Sequence, residues 1–95
     1  MEIKSSGSTV TITGNIKSVS DYQEIKNLVD SLAAQNQSLI INIDDSLSMT
    51  SSVIGYFNKL ILKDKINIQM NIGNKQLLEL LKDLNLVSTF NVKSL

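Results

Sequence analysis

The sequence predicts an α/β fold: one small domain over residues 1–95, with a largely parallel mixed sheet of about five strands and helices packed mainly on one face. Three observations lead there. Short segments of alternating polarity are separated by segments with helical apolar spacing, in the order β-β-α-β-α-β-α-β, and parallel neighbours require such crossovers. Ile66, Ile68, Met70 and Ile72 alternate with Asn67, Gln69 and Asn71, as Val10 and Ile12 do with Thr9, Thr11 and Thr13. Strands covered on both faces read instead as continuous apolar runs, so one face of this sheet is left polar. Gly7, Gly14, Gly55 and Gly73 are scattered singly, with neither GxGxxG nor GxxxxGKS/T. A doubly wound nucleotide-binding fold is disfavoured on both counts.

The elements follow in order. Glu2 to Lys4 predicts a short first strand, joined through a turn at Ser5-Ser6-Gly7 to a second over Ser8 to Thr13 that ends at Gly14. Ser20 with Gln23 fits a capping box, opening a helix whose apolar positions are Tyr22, Ile25, Leu28, Val29, Leu32 and Ala33. Leu39 to Ile43 is the next strand. A helix starting near Ser51 carries Val53, Phe57, Leu60 and Ile61 on its core face. After the strand over Ile66 to Ile72, Asn74 caps a third helix bearing Leu77, Leu78, Leu80, Leu81 and Leu84. Phe90 to Lys93 closes the sheet.

Composition removes several classes of function. The chain has no cysteine, so it has no disulfide framework, thiolate nucleophile or thiolate metal site. It has no histidine either, which takes away the usual general base and the commonest transition-metal ligand. All nine basic residues are lysine, balanced by nine acids. Without arginine there is no bidentate fork for phosphate or guanine, and a net charge of zero exerts no pull on nucleic acid. The opening residues hold no apolar run resembling a signal peptide, and no segment reaches the roughly 20 apolar residues of a membrane span. A soluble cytoplasmic domain is expected, inserting in no membrane and using no cofactor or metal. At 95 residues it buries only about 60–65% of its unfolded surface, so modest stability is expected.

The chemistry concentrates in Leu39-Ile-Ile-Asn-Ile-Asp-Asp-Ser-Leu-Ser-Met-Thr-Ser-Ser-Val-Ile-Gly-Tyr56, a buried strand, a polar loop, then hydroxyls at a helix start. Asp44 and Asp45 end a strand, where parallel sheets often keep chemistry. With no further ligands at metal spacing, turn formation and solvation explain them better. Thr50, Ser51 and Ser52 read first as N-caps, with Thr50 alone able to satisfy an orphan N–H, and second as phosphate carriers, because a helix N-terminus offers free N–H groups to an anion. A serine nucleophile lacks any histidine to activate it. Tyr56, Lys59 and Lys63 read as a solvated helix face. Gly55, one turn beyond Ser51, leaves a flat spot that costs about 1 kcal/mol relative to alanine. Either something approaches it closely or the helix packs tightly there within its own fold.

With this order of elements, Met49-Thr-Ser-Ser-Val-Ile-Gly55 resembles the signature of the STAS family, the anti-sigma factor antagonist domains, usually Asp-Ser-Ser-Gly-Leu-Gly after a hydrophobic strand. The likeness covers nearly the whole chain, including Gly14 and the late helix ending in Asp83-Leu-Asn-Leu86. Thr50 stands where the family has aspartate and Val53 where it has glycine, the latter as in stressosome-type members. The missing histidine and cysteine argue against catalysis by the isolated domain, and the resemblance implies helices on one side of the sheet. It places the phosphoacceptor at Ser51, with Ser52 and Thr50 as alternatives. It implies an anti-sigma factor of histidine-kinase-like ATPase fold as partner and kinase, with a PP2C-type phosphatase as its counterpart. The expected contact surface takes in Asn15, Asp44, Asp45, Thr50, Ser51, Ser52, Gly55, Tyr56 and Lys59. Other members of the family are constitutive accessory subunits docked on a transporter ATPase of lipid transport, or scaffolds, and that is the alternative expectation.

Overall fold

Every parallel crossover steps the same way across the sheet. A computed structural model describes residues Met1–Leu95. Strands β1 (Glu2–Ser6) and β2 (Thr9–Thr13) form a hairpin, followed by α1 (Val19–Ala33), β3 (Ser38–Ile43), α2 (Ser51–Leu62), β4 (Asn67–Ile72), α3 (Lys75–Asp83) and β5 (Val92–Ser94). The five strands lie in the order β1-β2-β3-β4-β5. Only β1 runs antiparallel to its neighbour. Right-handed connections taken always in one direction deposit all three helices on one face.

Register fixes which residues meet those helices. Val10, Ile41 and Met70 form one row across the central strands, and Ile12, Ile43 and Ile72 the next. All six are buried beneath the helices, with Ile25, Val29, Val53, Phe57, Leu60, Leu77 and Leu81 packed onto them. The opposite face carries Thr11, Asn42 and Asn71 in one row. There the Asn71 Nδ2 donates to Asn42 Oδ1 at 2.8 Å, and Gln69 Nε2 donates to Asn71 Oδ1 at 3.1 Å. A slip of one residue would drive these amides into the core, so the register is strongly specified. No buried side-chain polar atom lacks a partner.

Several boundaries differ from the sequence expectation: β3 starts one residue earlier, at Ser38, and β4 one residue later, at Asn67. The hairpin turn is Gly7-Ser8 rather than Ser5-Ser6-Gly7, with Gly7 at φ +58°, so β1 extends to Ser6 and β2 starts at Thr9. The cap of α1 is Ser18, not Ser20. Ser18 Oγ accepts from the Asp21 amide at 3.0 Å, while Asp21 Oδ2 accepts from the amides of Lys17 and Ser18. A charged carboxylate holding two N–H groups outcompetes the neutral Gln23 amide two residues on. Finally, Phe90 does not begin the last strand. It is fully buried with its ring 6.2 Å from that of Phe57, and Asn91 at φ +51° turns the chain before β5 begins at Val92. Thr50 and Asn74 cap α2 and α3 as expected, accepting from the amides of Val53 and Leu77.

Gly73 ends β4 and donates to the Ile43 carbonyl at 2.9 Å. A Cβ at this position would collide with the backbone carbonyl of Asp44. The β3 exit and the β4 exit can lie side by side only with hydrogen there. Gly73→Ala is therefore expected to lower stability by about 1–3 kcal/mol, read as a fall in the urea midpoint at unchanged m-value. An unchanged midpoint would mean that the two exits separate freely.

Candidate functional site

Adjacent parallel strands bring their exits together, and the β2–α1 loop therefore lies against the β3–α2 loop. Side chains knit the two. Asp45 Oδ1 accepts from the Gly14 amide at 2.7 Å, and Asn15 Oδ1 accepts from the Leu47 amide at 2.9 Å. Ser46, fully buried, accepts from the Ile16 amide at 3.0 Å and donates to the Ser48 carbonyl at 2.7 Å. Backbone pairing continues beneath them, where the Asp44 amide donates to Ile12. Ile16 and Met49 point into the core and anchor each loop from below. Gly14 adopts φ +84°, a left-handed conformation that turns its amide toward Asp45 with no Cβ penalty.

This knitting explains the two aspartates. Asp45 is a latch, and Asp44 stays exposed beside it. No group of three or more potential ligands exists anywhere in the chain that could hold a metal ion. Neighbouring the latch, the first turns of α1 and α2 enclose a shallow groove of about 270 Å³, lined by Lys17, Ser18, Val19 and Tyr22 on one side and by Thr50 and Ser52 on the other. Val19 is 77% exposed and Leu47 46% exposed, both at this end of the molecule. Neither stood out in the sequence, because each is a lone apolar residue in a polar loop or at a helix start.

The hydroxyls divide their roles. Thr50 Oγ1 takes the Val53 amide at 3.3 Å, so capping falls to Thr50. Ser51 and Ser52 occupy the first two positions of α2, both exposed and both free of that duty. Gly55 lies one turn below on the outer side, and a Cβ there would meet nothing within 4 Å. Packing within the fold therefore does not require it. Lys59 lies further along α2, exposed, with Nζ 3.3 Å from Asp64.

Tyr56 departs from its expected place. It is buried rather than solvated, its hydroxyl donating to Asp30 Oδ1 at 2.6 Å across the α1–α2 contact. Its ring meets that of Tyr22 edge-on at 6.4 Å. Asp30 also accepts from Lys26 Nζ at 2.9 Å. Burial pushes the Asp30 carboxyl up, but the Tyr56 hydroxyl and the ammonium groups of Lys26 and Lys59 outweigh it, and the group titrates below the ordinary carboxylate range. Tyr56 is raised, first by burial and then by Asp30. Tyr56 thus belongs to the helix-to-helix joint and, being buried, offers almost no surface of its own to a partner. Lys26 and Asp30 are four residues apart on α1, whereas the tyrosine partner comes from 26 residues further along the chain.

Asn15, Asp44, Asp45, Thr50, Ser51 and Ser52 are thus gathered at one edge, with Gly55 one turn below on α2. No family model, no curated protein and no solved structure matches the chain.

Two outcomes are expected. Gly55→Ala stabilises the isolated domain by about 0.5–1 kcal/mol, because the helix loses a flexible residue and nothing obstructs the methyl group; a lower urea midpoint would contradict the open surroundings of this position. The second concerns acid. Asp21 and Asp30 titrate below their ordinary value of 3.8, Asp21 chiefly because of the Lys17 amide. The unfolded chain therefore binds more protons in that range, so their contribution is complete above pH 3.8 and disappears as pH falls through the folded values. Urea melts of Asp30→Asn should accordingly show a shallower loss of stability between neutral and acid pH than wild type. Parallel pH profiles would refute the coupling.

Proposed function

We propose that this chain is an anti-sigma factor antagonist of STAS type, or a related partner-switching regulator, acting in the cytoplasm of a bacterium. It binds an anti-sigma factor with a histidine-kinase-like ATPase fold, which also phosphorylates it on Ser51, and a PP2C-type phosphatase reverses the modification. In this reading the domain is a ligand of other proteins and catalyses nothing itself.

The observation that carries the reading is the state of Ser51. It is exposed at the first turn of α2 while the preceding Thr50 serves as cap, so the serine is available without cost to the helix. The knitted loops beside it present Asn15, Asp44 and the exposed Leu47 as a preformed surface. Rigid presentation lowers the ordering cost of association. A phosphate on Ser51 adds about −1.5 to −2 charges at the helix N-terminus, where the macrodipole tolerates it within the monomer. A docked partner surface, with Asp44 near, has to desolvate that anion, and binding is lost as a local electrostatic event.

One observation favours the other class of reading. The residue preceding Ser51 is Thr50, whose hydroxyl is committed to the Val53 amide, so the acceptor has no carboxylate from its own cap. A docking module that holds a transporter ATPase constitutively has no need of one. Affinity purification from the native host separates the two, since the first retains a small ATPase kinase and the second a membrane transporter complex.

The direct test is mass spectrometry on protein isolated from that host, together with binding measurements. Phosphate is expected on Ser51 and absent in Ser51→Ala. Ser51→Glu should weaken binding to the ATPase by roughly 100-fold, while its urea midpoint stays near that of wild type. Phosphate confined to other residues, or undiminished binding by Ser51→Glu, would remove Ser51 from the mechanism.

A further inference from the structure

The sheet has two free edges, and they differ. β5 pairs with β4 over only three positions, Met70 with Val92 to Ile72 with Ser94, and brevity protects it. β1 is five residues long and has no neighbour on its outer side. The direction of its backbone groups follows from the bonds of the next strand. Ile40 donates to the Ser8 carbonyl and Asp44 to the Ile12 carbonyl, so the even-numbered residues of β2 face β3. Thr9, Thr11 and Thr13 therefore face β1, where their partners are Ser6, Lys4 and Glu2. The N–H and C=O groups of Ile3 and Ser5 are left pointing outward.

Side chains on this edge carry a pattern that complements itself. Glu2 and Lys4 share one side of β1, on the polar face of the sheet, and flank Ile3. They touch each other only at 3.9 Å, with side-chain exposures of 72% and 78%, so both are free to take other partners. Turned about a two-fold axis through Ile3, a second β1 places its Lys4 opposite Glu2 and its Glu2 opposite Lys4. In that register Ile3 faces Ile3 as the hydrogen-bonded pair, which suits its outward backbone groups. The Glu–Lys pairs fall on the non-hydrogen-bonded sites, where Cα atoms lie about 4.5 Å apart and side chains are closest. Ile3, half-buried at the margin of the core, gains cover from its copy. Because the axis runs perpendicular to the sheet, the helices of both copies stay on one side.

We propose that β1 is a self-association edge, pairing antiparallel with β1 of a second copy of this chain in the register Glu2–Lys4 and Lys4–Glu2, to make a continuous ten-stranded sheet. The contact is isologous, each copy presenting the same patch. Its order of charges selects its own kind. A strand without an acid and a base at the matching spacing would leave Glu2 or Lys4 opposite an indifferent or like-charged group, and that is how an edge charge deters foreign strands. Five residues a side bury less than a standard interface, so the dimer forms in the micromolar-to-millimolar range. This inference is independent of the phosphorylation reading, whose surface lies on the loops after β2 and β3.

The experiment is sedimentation velocity, with light scattering, on the intact chain over micromolar to millimolar concentrations. Wild type is expected to pass from one copy to two. Glu2→Lys and Lys4→Glu each set like charges opposite at both sites and should weaken the dimer by at least about tenfold. The doubly exchanged chain, Glu2→Lys with Lys4→Glu, should recover it. Circular dichroism confirms that all variants, altered only at exposed positions, remain folded. Amide exchange adds a second readout, in which the Ile3 and Ser5 amides become protected only at concentrations where the mass doubles. A wild-type monomer at millimolar concentration, a dimer indifferent to either single reversal, or a double exchange that fails to restore association would each overturn the proposal.

Discussion

One constraint of handedness governs the molecule. A right-handed crossover from each parallel strand to the next, taken three times in the same direction, leaves no choice about where the helices lie. It commits Val10, Ile12, Ile41, Ile43, Met70 and Ile72 to one interior and leaves Thr11, Asn42 and Asn71 to the other face. The same constraint starts all three helices at the end where β2, β3 and β4 finish, so Ser18, Thr50 and Asn74 cap their helices along one edge. Because β2 and β3 are immediate neighbours, their exit loops must touch. The candidate site is a consequence of strand order before it is a property of any side chain.

What the loops add is rigidity. A loop of seven residues between Ile43 and Ser51 would ordinarily keep much of its freedom, and ordering it on binding would cost affinity. Here Asp45, Ser46 and Asn15 each bond to a backbone amide of the opposite loop, and Ile16 and Met49 fasten both to the core. The ordering has been done in folding. The cost falls on the choice of residues: Gly14 for its left-handed backbone, Ser46 small enough to bury whole, and Gly73 to let the Asp44 carbonyl pass.

The sequence was most readable where a period repeats. Alternation in β2 and β4 and helical spacing in α2 and α3 were enough for element order, for the one-sided helix layer and for two of three caps, because burial acts on each residue separately and writes itself along the chain. Single-residue competitions were less legible. Ser18-x-x-Asp21 and Ser20-x-x-Gln23 look alike until one knows that the carboxylate can reach two amides. Phe90 looks like strand because it is aromatic, although its position follows from Phe57, which is 33 residues earlier and in contact only through the fold. Tyr56 shared the spacing of Lys59 and Lys63, and a hydroxyl made a solvated position plausible; only the approach of α1 brings Asp30 to it. Within the site, the exposed hydroxyls were legible from local capping chemistry, and the latch was not. Asp45 to Gly14 and Asn15 to Leu47 span more than 30 residues and carry no spacing signal.

Placement of Tyr56 bears on how a modification at Ser51 would act. α2 is held on its inner side by Val53, Phe57 and Leu60 and fastened to α1 through the Tyr56–Asp30 bond, while Ser51 projects from its outer first turn. An anion there meets the favourable end of the helix dipole and strains no contact, so it gives α2 no reason to shift or to fray. Switches that order or melt a segment need that segment to be poised between two states, and a helix fixed at both its core face and its flank is not poised. Any regulation through this serine must therefore be read by the surface that docks against it, as a change in charge on an unmoved scaffold. The proposed edge pairing draws on Glu2, Ile3 and Lys4 of β1 and the proposed docking on the loops after β2 and β3, so the two would use different residues although Glu2 pairs with Thr13 at the start of one of those loops.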